Sequence, residues 1–153
     1  MAATDITGVI MPTVAPFSFE ALTVEMVNDI DVLDPSFAGI QTVATHNILE
    51  VPEGKALTDI KVVILDTFTS AGAATVKFTA GGKDVTAAIA IAKLTKGTVL
   101  SIPMDIVGDC KVYAHDVASL PTIDMTVGTA DLTAGRLLMY TSYRDVKGIL
   151  ENG

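Results

Sequence analysis

Cys110, His115 and Asp116 come nearest to a catalytic set in this 153-residue chain, offering a thiol nucleophile, an imidazole base and a carboxylate to orient it. Their spacing works against that chemistry. Residues five apart on a strand point to opposite faces, so Cys110 and His115 diverge unless a bulge intervenes. The cysteine is therefore expected to act as a small, semi-buried hydrophobe. The only other histidine, His46 in Thr45-His46-Asn47, is expected to make a single hydrogen bond on a strand or turn. Two histidines and one cysteine supply no zinc-ligand spacing. No catalytic residue, cofactor or metal ligand is assigned, and the chain is read as a non-enzyme.

Asp29, Asp31 and Asp34 invite a calcium reading. An EF-hand loop starting at Asp29 needs glycine at position 34 and glutamate at position 40, where this chain has Asp34 and Ile40. The three carboxylates are expected instead to form a solvated acidic turn ending at Pro35. Gly81-Gly82-Lys83 lacks the earlier glycine and the following Ser or Thr of a phosphate loop, and is expected to be a hairpin or loop turn. Tryptophan is absent and aromatics make up 5% of residues, which leaves little material for the stacking platforms of a sugar-binding sandwich.

Charge is distributed unevenly. Residues 1 to 54 hold Asp5, Glu20, Glu25, Asp29, Asp31, Asp34, Glu50 and Glu53 and no Lys or Arg, so the whole formal excess of -8 lies before Lys55. Such a surface repels phosphate backbones, and no nucleic acid is expected as a partner. A basic protein surface is the better match, with Asp5, Glu20, Glu25, Asp29, Asp31 and Asp34 as candidate partner-binding residues. No apolar run approaches the roughly 18 residues of a membrane-spanning helix, so no membrane is expected. The segment from Ile6 to Val14 is broken by Thr7, Gly8, Pro12 and Thr13, unlike a secretory signal. One cysteine suits a reducing cytoplasm.

The elements that would position these residues read as strands. Half the residues are hydrophobic, interleaved with threonine and punctuated by 12 glycines and 6 prolines, a β composition. Pro12, Pro16 and Pro35 mark residues 1–38 as an extended N-terminal arm. Within it Phe19 to Val32 fits helical spacing (22, 26, 30) and alternation (22, 24, 26) about equally, with a lean to strand. Residues 39–153 read as one all-β domain with strands at Ile40 to Val51, Leu57 to Phe68, Thr75 to Thr79, Thr98 to Ile102, Lys111 to His115, Thr122 to Val127 and Arg136 to Tyr143. Ile60, Val62 and Ile64 on one face of the second strand, and Val63 and Leu65 on the other, predict a mid-sheet strand covered on both faces. Asp84 to Leu94 is ambiguous: Ala-rich composition and a cap at Asp84 or Thr86 favour a short helix, while Ala88-Ile89-Ala90-Ile91-Ala92 alternates like a strand, and it is taken as a connecting turn of helix. The regular spacing of strands and turns predicts an antiparallel β-sandwich, jelly-roll-like in character.

The stretch from Leu57 to Val146 resembles the small head-decoration, or cement, proteins of tailed bacteriophages. The resemblance is carried by Thr58-Asp59-Ile60-Lys61-Val62-Val63-Ile64, by Ala74-Thr75-Val76-Lys77-Phe78, by the Ala-rich segment leading to Lys96-Gly97-Thr98, and by Leu132-Thr133-Ala134-Gly135-Arg136-Leu137-Leu138-Met139-Tyr140. It implies a jelly-roll-like sandwich that binds the outside of an assembled shell, with the major capsid protein as partner. It also implies a homo-oligomer, a dimer or trimer, made in the host cytoplasm and residing on the phage head surface. Phage tail or fibre attachment and non-viral ligand binding are the other functions that a sandwich of this kind could serve.

Overall fold

Alternation of Ile123, Met125 and Val127 with Asp124 and Thr126 gives a strand with one apolar and one polar face, which needs a second apolar layer to cover it. A computed structural model supplies that layer and describes residues 23–37, 39–103, 112–114 and 119–145. Ten strands occur among these residues: β1 (Thr23–Asp31), β2 (Ala44–Glu50), β3 (Lys55–Ser70), β4 (Thr75–Ala80), β5 (Lys83–Asp84), β6 (Ile89–Ala90), β7 (Val99–Pro103), β8 (Val112–Ala114), β9 (Thr122–Gly128) and β10 (Leu132–Asp145).

They form two antiparallel sheets. In one, the order is β2-β9-β4-β5, with β6 also pairing β4; in the other it is β1-β10-β3-β7, with β8 also pairing β3. The chain crosses between layers at β1 to β2, β2 to β3, β3 to β4, β6 to β7, β8 to β9 and β9 to β10, so most neighbours in a sheet are distant in sequence. The architecture is the all-β sandwich read from the sequence.

The core lies between the two layers. Ile123, Met125, Val127, Val76 and Phe78 from the first sheet meet Ile60, Val62, Ile64, Leu137 and Met139 from the second, all essentially inaccessible to water. Each such side chain stabilises the fold by about 1.5–3 kcal/mol relative to exposure. At the β3/β10 ladder the register shifts between Leu132 and Leu137. Gly135 lies within this irregular stretch, and a Cβ built there would fall 2.7 Å from Phe68 Cγ and Cδ1. Glycine lets the β10 backbone close onto the Phe68 ring.

Three expectations meet a different outcome. Residues 23–31, inside the stretch read as an arm, are a sandwich strand whose nine positions all pair with β10. The segment from Asp84 to Leu94 contains no α-helix; β6 runs into a single 3-10 turn, Ile91–Lys93, and the alternation of Ala with Ile89 and Ile91 serves the sheet rather than a helix. β3 does lie mid-sheet, but only its Ile60, Val62 and Ile64 face is sealed; Val63 and Leu65 on the other face remain partly accessible. Of the two apolar faces of β3, one is sealed among the described residues and the other is partly open.

Candidate interaction surface

Strand alternation assigns the outward face of the second sheet. On β10, Leu137, Met139, Thr141 and Tyr143 point into the core, so Arg136, Leu138, Tyr140 and Ser142 point out. Register then places Val27 of β1 and Lys61 of β3 beside Tyr140, and Asp29 and Val63 beside Leu138. Val99 of β7 follows Val63 across the sheet. Val27 and Val99, at the two margins, are each 53% exposed, whereas Leu138, Tyr140 and Val63 between them are half-buried. The sandwich thus carries an outward apolar strip across four strands, with Lys61 within it and acidic residues along its β1 margin.

The acidic margin is organised by β1 and the turn after it. Glu25, Asp29 and Asp31 share the outward face with Val27, and Asp34 follows just before the 3-10 turn Pro35–Phe37. Arg136 Nε donates to Asp29 Oδ1 at 2.9 Å while Nη2 donates to Oδ2, a two-pronged ion pair. The hydrogen bonds from Arg136 hold the Asp29 carboxyl below its ordinary range, and the same pair raises the guanidinium. The Ser36 N–H donates to Asp34 Oδ1 at 2.8 Å, which lowers that carboxyl too. Asp31 Oδ1 accepts the Leu33 N–H at 2.9 Å. Together Asp29, Asp31, Asp34 and Arg136 line a shallow depression of about 310 Å³.

Of the sequence-derived partner-binding residues, Asp29, Asp31 and Asp34 are therefore brought together, Glu25 lies farther along the same face of β1, and Asp5 and Glu20 lie outside the described residues. Calcium is poorly served at this cluster, because Arg136 already occupies Asp29 with a positive charge. No group of three or more His, Cys, Asp or Glu side chains suited to a metal ion occurs among the described residues. Cys110, His115 and Asp116 also lie outside them. His46 is half-buried on β2 and its Nε2 lies 2.7 Å from the Thr42 carbonyl oxygen, a single hydrogen bond of the kind expected. Gly81 and Gly82, both at positive φ, turn β4 into β5.

The apolar strip was not identified from the sequence, although one signal pointed to it. Val63 and Leu65 showed that β3 has a second apolar face; Leu138, Tyr140, Val27 and Val99 join it only through strand order. No helix among the described residues is long and apolar enough to cross a membrane.

No family model and no curated protein matches the sequence. Solved structures with a similar course of chain include one from the acidic stable capsid structure of Helicobacter pylori bacteriophage KHP30, with a TM-score of 0.48 and 8% identity over 80% of this chain and 87% of that one. Another is from the Bacillus endospore appendages described as disulfide-linked pili, with a TM-score of 0.39 and 20% identity over 80% and 88%. A third is the C-terminal domain of EclA, a sugar-binding protein, with a TM-score of 0.38 and 12% identity over 76% and 78%.

Proposed function

We propose that this chain is a structural virion protein, a capsid decoration or cement protein that binds the outer surface of an assembled phage head and stabilises it by bridging capsid subunits. The observation that carries the reading is the outward strip Val27, Tyr140, Leu138, Val63 and Val99 across four paired strands with an acidic margin. Such a strip has apolar area to bury and charge to orient a basic partner, the major capsid protein. The sequence resemblance to decoration proteins supports the same partner.

Four strands at a spacing of about 4.8 Å make a narrow strip, smaller than the roughly 800 Å² per partner of a stable interface. A single copy therefore binds weakly. A dimer or trimer on a symmetric shell would multiply that contact through effective concentration, so the reading includes a homo-oligomer on the head surface. Rigidity of the sandwich would then resist separation of neighbouring subunits.

Co-sedimentation of the full chain with purified phage heads tests this. Saturable pelleting is expected, with a higher temperature of DNA release from decorated heads. Val27→Asp and Val99→Asp should fold as the wild type does and pellet at least tenfold less. Absence of pelleting, or pelleting unchanged by both substitutions, contradicts the reading. Binding to isolated tails and not to heads would move the protein to a tail or fibre.

A further inference from the structure

Among the described residues β1 is a long outer edge of the second sheet, guarded against strand pairing by its acidic side chains alone. Nine consecutive residues pair with β10, from Thr23 opposite Arg144 to Asp31 opposite Arg136, with no register shift. The strand contains no proline, glycine or lysine. Other edges among the described residues are blunted: β2 bears a register shift opposite Ile123 and Asp124, β5 and β6 have two residues each, β7 ends at Pro103 and β8 has three residues. Along β1, Val24, Met26 and Val27 are exposed, so apolar side chains accompany the open backbone row on both faces. A long edge in unbroken register is a template for an added strand.

Charge selects which strand. On the outward face Glu25 and Asp31 form no direct ion pair among the described residues, whereas Asp29 is taken by Arg136, which lies opposite Asp31 and attracts it at longer range. A second copy is a poor occupant. Full antiparallel overlap of two β1 strands centres on Val27 and sets Glu25 of each copy opposite Asp29 of the other, and like charges directly opposite are destabilising. A strand with Lys or Arg at alternate positions reverses that sign and places its intervening side chains beside Val24 and Met26.

We propose that the β1 edge accepts an extended, basic, apolar-alternating strand from a partner protein, completing the second sheet across the two molecules. The proposal deepens the shell-binding reading and rests on it for the source of the strand, an arm of the capsid protein. Backbone hydrogen bonds supply affinity, and Glu25 and Asp31 supply the preference for a basic sequence.

The test uses the full chain and a nine-residue capped peptide, Thr-Lys-Val-Lys-Val-Thr-Val-Lys-Thr, followed by amide chemical shifts. Saturable changes centred on Thr23–Asp31, with intermolecular contacts to that strand, are expected. A peptide with Glu in place of every Lys should bind at least tenfold more weakly. A Glu25→Lys/Asp31→Lys chain should invert the preference, which also guards against a variant that merely misfolds. Equal binding of both peptides, changes centred away from β1, or a free chain whose β1 edge is already paired with a second copy or with residues 1–22 overturns the proposal. Loss of peptide binding with head pelleting retained overturns this inference and leaves the shell reading standing; peptide binding without pelleting supports the edge and removes the shell as its source.

Discussion

Gly135→Ala should destabilise the protein by overpacking the point where β10 closes on Phe68. The added Cβ would lie 2.7 Å from Cγ and Cδ1 of the Phe68 ring and 2.9 Å from Cδ2, against about 3.4–4 Å for ordinary van der Waals contact. Phe68 cannot simply swing out, because it is 3% exposed within the core and its N–H donates to the Leu94 carbonyl at 3.0 Å. Gly135 also has φ of +155°, which L side chains rarely adopt. Overpacking of this kind costs about 1–3 kcal/mol. At roughly 2–4 °C per kcal/mol for a chain of this size, the melting temperature should fall by about 2–12 °C in a calorimetric scan. Phe68→Leu removes most of the ring, so the double variant should lose clearly less than the sum of the two single losses. A Gly135→Ala melting temperature within about 1 °C of wild type, or strict additivity with Phe68→Leu, would refute the close approach.

Leu137→Ala, which empties a fully buried position, should cost about 2–5 kcal/mol in urea unfolding, whereas Val99→Thr on the outward strip should change stability by less than about 0.5 kcal/mol. The Asp29 and Asp34 carboxyls are held below their ordinary range by Arg136 and by Ser36. Their contribution to stability is present above the unfolded pKa and disappears as pH falls through the lower folded value. An Asp29→Asn/Asp34→Asn chain should accordingly lose less melting temperature than wild type on acidification through pH 4 to 2, and equal losses would contradict the two contacts. Burial pushes the Tyr143 hydroxyl up, so its folded-state contribution is intact below the unfolded tyrosine pKa and is lost as pH rises through the higher folded value. Ultraviolet titration should show a tyrosine step, removed by Tyr143→Phe, that comes later in the folded chain than after denaturation.

Much of the sandwich was legible because strand periodicity is a local signal. Ile123, Met125 and Val127 announced β9, and the turn at Gly81-Gly82 marked the end of β4. β1 was harder, since Leu22, Met26 and Ile30 satisfy a helix as well as Val24 and Met26 satisfy a strand. Its pairing with β10, a partner more than a hundred residues away, settles the matter. The same distance hid the site. Arg136 meets Asp29 across 107 residues of sequence, and Val27, Leu138, Val63 and Val99 become neighbours only through the order β1-β10-β3-β7. The acidic bias before Lys55 was visible as composition, but which carboxylate forms the two-pronged ion pair depended on the location of Arg136. Apolarity on both faces of β3 marked an outward apolar face as well as the buried one, yet sequence carries no label for whether the same chain covers it.

Attachment of this sandwich to a phage shell through the outward face and β1 margin of its second sheet is tested most directly by an image reconstruction of purified phage heads decorated with the full chain. Symmetric density for the sandwich is expected on the outer shell surface, with Val27, Tyr140, Leu138, Val63 and Val99 facing the capsid protein and a capsid strand beside β1. Density that presents the β2-β9-β4 face to the shell, or heads that carry no added density at saturating protein, would contradict it.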